Sequence, residues 1–405
     1  MNKNQIFNEA ALPLEVAILL IAGLMMLITG ILLFPVATGA LPYYENGLYG
    51  LLLFIFALQT ITLGKTPFGD MSRSRPLIVM GVVIAAVGIV TCFVPDLFSQ
   101  IPRILLFICF APGGFLLLLQ MIFSKEKLRA WMQYGGIFHH LIWGCGSVYV
   151  LSILIGLLIL VHSLLTTAMT AVVGIIDGVA IIYLALILRK IYLTYPEAEN
   201  TNPGTITLPI DKIMLLITGI LMLLLGALLI PVNLGQLPFS GSAQLGLLMV
   251  IFAIQMLASG NTPIGPFPRN WLMVGLGLLF AALGIISSII PGILVKPLTI
   301  LIGVLNILGG FITLVKIVLP RLQKSGGPGG QVPPILQKLF ITQLIMGLLS
   351  IIFGTSMLVA HLLPGLVIGV VLFANGCILL YLMSILLTLD EMISQNQQAA
   401  ENNKK

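Results

Sequence analysis

The sequence predicts an all-α, polytopic integral membrane protein with twelve transmembrane helices. Three observations predict it. The 405 residues are 59% hydrophobic and only 8% charged, where a soluble domain carries about 25% charged residues; the mean hydropathy is +1.14. Apolar runs long enough to cross a bilayer, about 20 residues each, occur twelve times. When these runs are threaded in alternation, all 19 lysines and arginines except Arg103 and Lys296 fall on one side, the bias of cytoplasmic loops. The expected setting is therefore a prokaryotic inner (plasma) membrane with both termini cytoplasmic.

In chain order the runs lie near 14–36, 47–64, 76–95, 101–123, 137–161 and 164–188. They continue at 211–232, 244–260, 271–290, 296–318, 338–361 and 364–388. The opening MNKNQIFNEAALPLE mixes acidic and basic residues and has no small-residue cleavage site, so it does not read as a signal peptide. SKEKLRAWMQYGG (124–136) reads as a short interfacial helix, its cations toward head groups and Trp131 and Tyr134 at the interface. The net charge of +6 comes from residues scattered through short loops, which excludes a nucleic-acid footprint. Four cysteines stand singly in apolar segments without redox or metal-ligand spacing.

The second half of the chain repeats the first. GILLFPVATGALP (30–42) matches GALLIPVNLGQLP (226–238), GKTPFG (64–69) matches GNTPIG (260–265), and VGIVTCFVPD (87–96) matches LGIISSIIPG (283–292), all at an offset of 196 residues. Each half holds six spans, an even number, so the copies keep one orientation and form parallel repeats. The expected organisation is a first six-helix repeat over 1–194, a polar linker over 195–209, a second repeat over 210–390 and a polar tail over 391–405.

Within each half a shorter period appears. Odd-numbered spans carry glycines seven apart, such as Gly23 and Gly30, Gly81 and Gly88, Gly219 and Gly226, Gly277 and Gly284, and Gly347 and Gly354. Seven residues are nearly two turns, so both glycines share a face that admits a neighbouring backbone. Even-numbered spans carry a mid-helix mark: FALQ (56–59), FAPG (110–113), IIDG (175–178), FAIQ (252–255) and FANG (373–376). The implied unit is a two-helix hairpin used six times. This pattern resembles the short repeat of the HdeD family of bacterial membrane proteins, of which the chain looks like two fused copies over about 14–390. The resemblance implies a role in acid or stress resistance, and it supplies no catalytic residues.

No serine–histidine–acid set, metal-spaced cluster or glycine-rich nucleotide loop occurs, so a non-enzyme without cofactor is expected. The candidate polar sites lie within the spans. Asp177 is first, because a mid-bilayer carboxylate costs about 2.5–3.5 kcal/mol on insertion scales. It reads either as a proton or cation site or as a carboxyl hydrogen-bonded across a glycine seam. IIDGVAIIY (175–183) aligns with FANGCILLY (373–381), which puts Asn375 in its place and favours the seam. Gln59, Gln255 and Asn306 either line a path for a small neutral or lipid-like solute between the halves or tie hairpins together. His162 and His361, in matching outer turns, are candidate pH sensors, since imidazole titrates near pH 6.5. KTPFGDMSRSR (65–75) and NTPIGPFPR (261–269) read as tight turns whose arginines meet the inner leaflet. The expected partners are the lipid bilayer and either other membrane subunits or further copies of the chain, with no nucleic acid. Two functions stay open: an acid- or stress-resistance protein or assembly subunit, and a permease.

Overall fold

The computed structural model describes residues 12–161, 164–195, 209–323, 334–359 and 362–402. Among them the chain forms α1 (Leu14–Ala37), α2 (Glu45–Leu63), α3 (Arg75–Phe93), α4 (Ile101–Phe123), α5 (Ala130–Tyr134), α6 (Ile137–Leu160) and α7 (Thr167–Thr194). There follow α8 (Ile210–Asn233), α9 (Gly241–Ser259), α10 (Trp271–Ile289), α11 (Val295–Gln323), α12 (Pro334–Leu358) and α13 (Gly365–Asn402). All but the short α5 are long and apolar enough to cross a membrane. The protein is thus a multi-pass helical membrane protein, and twelve spans are described, as the hydropathy predicts. The ends differ in detail. α7, α11 and α13 run past the apolar runs by several residues, because polar helix formers such as those of DEMISQNQQAAEN (390–402) continue a helix begun in apolar sequence. Most of the linker at 195–209 lies outside the described residues.

The chain divides into two compact units. Unit 1 holds α1–α7 together with α9 and α10, and unit 2 holds α8, α11, α12 and α13 with residues 262–266. In unit 1, α2 and α9 are the most enclosed spans, with 78% and 83% of their apolar windows buried. They are also the least apolar of the twelve spans, as suits helices surrounded by other helices rather than by lipid.

Glycine decides which helices touch. The close partners are α1 with α7, α2 with α3, α4 with α6 and α9 with α10 in unit 1, and α8 with α13 in unit 2; α11 meets α12 through Gly303, Gly310, Gly347 and Gly354. Most sequence hairpins are therefore not the tight pairs, and the glycine faces meet helices from neighbouring hairpins. At α1·α7 a Cβ on Gly30 would stand 2.7 Å from Ala171 O, and one on Gly178 would stand 2.5 Å from Leu27 N. At α8·α13 a Cβ on Gly376 would stand 2.8 Å from Gly219 O, and one on Gly226 2.6 Å from Gly369 O. A helix-interior glycine costs about 0.5–1 kcal/mol relative to alanine. Here that loss is offset by backbone contact no side chain would permit.

Two loops share one construction. After α2, Gly64 takes a left-handed φ of +69° to close the helix, and after α9, Gly260 does so at +73°, the usual use of glycine at this position. A two-residue ladder follows in each (Lys65–Thr66 with Gly69–Asp70, and Asn261–Thr262 with Gly265–Pro266). Arg73 Nη1 then donates to Thr62 O at 2.9 Å, and Arg269 Nη1 to Ala258 O at 3.0 Å. In unit 1 the Pro67 carbonyl lies against Gly113 of α4, 2.7 Å from where a Cβ would sit. These arginines hold the loop to its own helix end.

A further pair of bonds lies inside unit 1. The Tyr44 amide donates to Ile289 O at 2.8 Å, and the Ser240 amide donates to Phe93 O at 2.9 Å. Tyr44 and Ser240 stand 196 residues apart, as do Phe93 and Ile289.

Candidate functional site: a chamber in unit 1

Between α1, α2, α4, α6 and α7 the side chains leave a chamber of about 310 Å³, within the size range of small-molecule sites. Its walls are mostly apolar: Leu19, Met25 and Met26 of α1, Leu52, Ile55 and Phe56 of α2, Phe110 and Leu117 of α4, and Ile181, Leu184 and Leu188 of α7. Helical periodicity explains the set, since 181, 184 and 188 recur on one face of α7 and 52, 55/56, 59 and 63 on one face of α2.

The charged wall residues come from one end of the helices. Glu15 belongs to the first turn of α1, Lys65 and Asp70 to the loop after α2, and Lys127 to the segment after α4. Lys65 and Glu15 form an ion pair, and Tyr192 Oη donates to the other Glu15 oxygen at 2.5 Å. Two acids and two lysines make that end electrically balanced. Deeper polar groups are Gln59, Ser152, Cys109 and the hydrogen-bonded pair Tyr149 and Cys145. Trp131 forms part of the chamber wall, and Tyr134 is exposed.

Asp177 is fully buried at 0% exposure. Neither carboxyl oxygen has a hydrogen-bond partner among the described residues. The expectation of a carboxyl hydrogen-bonded across the seam is therefore not met; the α7 residues against the glycines of α1 are Ala171, Ile175, Gly178 and Ile182. At 100° per residue Asp177 falls on the α7 face of Ile181, Leu184 and Leu188, one turn from Ile181, but it is not among the residues that line the chamber.

The other sequence-predicted residues are placed as follows. Gln59 lines the chamber. Asn375 lies beside Gly376 on the α8·α13 seam of unit 2, with its Oδ1 buried and unpartnered. Asn306 donates to Ile302 O of its own helix at 2.9 Å, a local bond that needs no second helix. Gln255, on α9, is half-buried. His162 and His361 lie outside the described residues. Among the described residues no group of histidines, cysteines and acids has the arrangement of a metal site.

Three features had no signal in the sequence reading. His140 Nδ1 and the Tyr183 hydroxyl share a hydrogen bond of 2.8 Å between α6 and α7. Ser242 and Ser287 exchange hydroxyl-to-carbonyl bonds of 2.7 and 2.9 Å across α9·α10. Tyr44 Oη donates to Cys92 O at 3.1 Å; burial, helped by the nearby Cys92 and Asp96, pushes this phenol well above its ordinary value. The spacing of 43 to 48 residues between these partners lies far beyond any local motif.

Searches of protein-family models, curated proteins and solved structures find nothing that matches this chain.

Proposed function

We propose that the protein is a non-catalytic membrane protein that holds a small, mainly apolar solute in the chamber of unit 1 and passes it across the bilayer. The observation that carries this reading is the chamber itself. It is apolar along its walls, has a few convergent polar groups, and has charge gathered at one end, the usual composition of a solute site. The chamber is lined by helices of the first half and includes Gln59. The lysine and arginine distribution supports a charged end facing the cytoplasm, in a prokaryotic inner membrane with both termini inside. The repeat supports the architecture: the bonds Tyr44–Ile289 and Ser240–Phe93 are the reciprocal contacts that two copies related by a twofold axis make.

A second reading rests on the glycine seams. Helix pairs locked backbone to backbone form rigid units, which suit a subunit of a larger membrane assembly. The resemblance to HdeD-like stress-resistance proteins belongs to this alternative.

One experiment separates the two. The full chain is purified in mild detergent and weighed by native mass spectrometry. The permease reading expects a small-molecule adduct that is lost in Ser152→Trp, which fills the chamber. A protein free of small molecules and carrying stoichiometric protein partners would refute that reading and support the assembly.

A further inference from the structure

The hydrogen bond between His140 and Tyr183 lies on the surface of the α6·α7 pair. His140 Nδ1 and Tyr183 Oη stand 2.8 Å apart, yet both residues are exposed, as is Trp143 about one turn further along α6. Gly144 meets Leu184 and Ile187 of α7, so His140, a turn nearer the start of α6, stands about level with Lys190. At 100° per residue Lys190 shares the α7 face of Tyr183, and it is exposed too. Charged groups on the outward face of a membrane helix are costly among lipid tails. They settle at head-group depth, where tryptophan and tyrosine also gather. The bond uses one ring nitrogen of His140 and leaves the second, while a hydroxyl both donates and accepts. The second half keeps this chemistry. Lys338 and Tyr381 follow His140 and Tyr183 by 198 residues, the offset that also matches Gly156 with Gly354 and Gly178 with Gly376. Both are exposed.

We infer that the face formed by His140, Tyr183 and Lys190 binds the phosphate head group of an anionic phospholipid. Lys190 supplies a positive charge, the imidazole and the phenol supply hydrogen bonds to the head group, and Trp143 packs against the start of an acyl chain. Charge complementarity selects this occupant, because the face offers a lysine and a histidine. Basic surfaces between transmembrane helices on the cytoplasmic side are a usual seat of anionic head groups. The lysine and arginine distribution supports a cytoplasmic position for this helix end. None of His140, Tyr183 and Lys190 lines the chamber, so the site stands apart from the permease reading.

The full chain is placed in phosphatidylcholine nanodiscs that carry a fraction of tail-brominated phosphatidylglycerol or, in parallel, tail-brominated phosphatidylcholine. Bromine quenches tryptophan fluorescence, and the share of quenching lost in Trp143→Phe reports this site. The expected result is an apparent affinity for phosphatidylglycerol about five- to tenfold above that for phosphatidylcholine. A double variant, His140→Gln with Lys190→Gln, is expected to bring the two lipids near equality. Lys190→Gln alone keeps the His140–Tyr183 bond and is expected to lose part of the preference. Lys296→Gln, which the charge distribution puts on the other side of the membrane, should leave the preference unchanged. Equal quenching by the two lipids in the unmodified chain would overturn the assignment. So would a preference that survives undiminished in the folded double variant, or in Lys190→Gln where the double variant does not fold. A loss in Lys296→Gln as large as in Lys190→Gln would reduce the effect to general charge attraction and overturn it as well.

Discussion

In unit 1, Gly174 and Gly178 bracket Asp177 on α7, and in unit 2, Gly376 follows Asn375 on α13. Both helices lie backbone to backbone against their partners, with Gly178 on Leu27 and Gly376 on Leu223. At both places a side-chain oxygen is buried with no partner. The helix ends differ too. At the start of α1, Glu15 pairs with Lys65, a wall residue of the chamber. At the start of α8, Lys212 pairs with Asp390 of α13, the seam partner itself. The comparison teaches that glycine fixes the seam whichever polar residue stands beside it. The polar residue is thereby released from holding helices together.

The comparison breaks most sharply at the glycines. Gly178→Ala and Gly376→Ala each place a methyl into a facing backbone, and each is expected to cost about 3 kcal/mol or more, the upper end of overpacking. Thermal unfolding in detergent reads the loss, and tolerance at either site would show that the seam does not depend on glycine. The loop arginines come next. Arg73→Ala orphans the Thr62 carbonyl and is expected to cost about 1–3 kcal/mol. Arg269→Ala should cost more in the same assay, because Arg269 also donates to Leu12 O at 3.2 Å. Equal costs would remove that distinction.

Tyr44→Phe removes one hydrogen bond, about 1 kcal/mol at neutral pH. Its sign against pH is set by the raised phenol. A group whose folded pKa lies above its unfolded value stabilises fully below the unfolded value, about 10 for tyrosine, and less as pH rises past it. The wild-type chain should lose stability above pH ~10 more steeply than Tyr44→Phe; parallel unfolding curves in alkali would contradict the buried phenol. The smallest effects are expected where nothing presses. Gly275→Ala, with no atom within 4 Å of the added carbon, should be neutral or stabilising by up to about 1 kcal/mol. Asp177→Asn breaks no hydrogen bond and removes a buried carboxyl, so it should not lower the melting point. A large loss there would return Asp177 to a structural role.

Much of the fold was legible because hydropathy reports spans directly: α1, α4, α6 and α10 fall within a residue or so of the apolar runs. The glycines seven apart correctly marked the contact faces. They did not say which helix would face them, since a small-residue face accepts any neighbour, and the hairpin mates are mostly not the tight partners. The site was less legible. Gln59 stands out in the sequence as a polar residue within a span, and its place on the chamber wall depends on the gap left by five helices. Asp177 stood out by its cost in the bilayer, yet its lack of a hydrogen-bond partner depends on the helices around it. The amphipathic surroundings of Trp131 do not show that it also lines the chamber, which depends on tertiary packing.

The claim that a solute-accessible chamber lies inside unit 1 can be tested with the native cysteines. Cys109 and Cys145 line the chamber, while Cys92 is fully buried against α2 at 0% exposure. The folded chain in nanodiscs is treated with a small water-soluble thiol reagent, and modification is mapped by mass spectrometry. The chamber predicts modification at Cys109 and Cys145, none at Cys92, and protection of both chamber cysteines in Ser152→Trp. Cys109 and Cys145 as unreactive as Cys92 would contradict it.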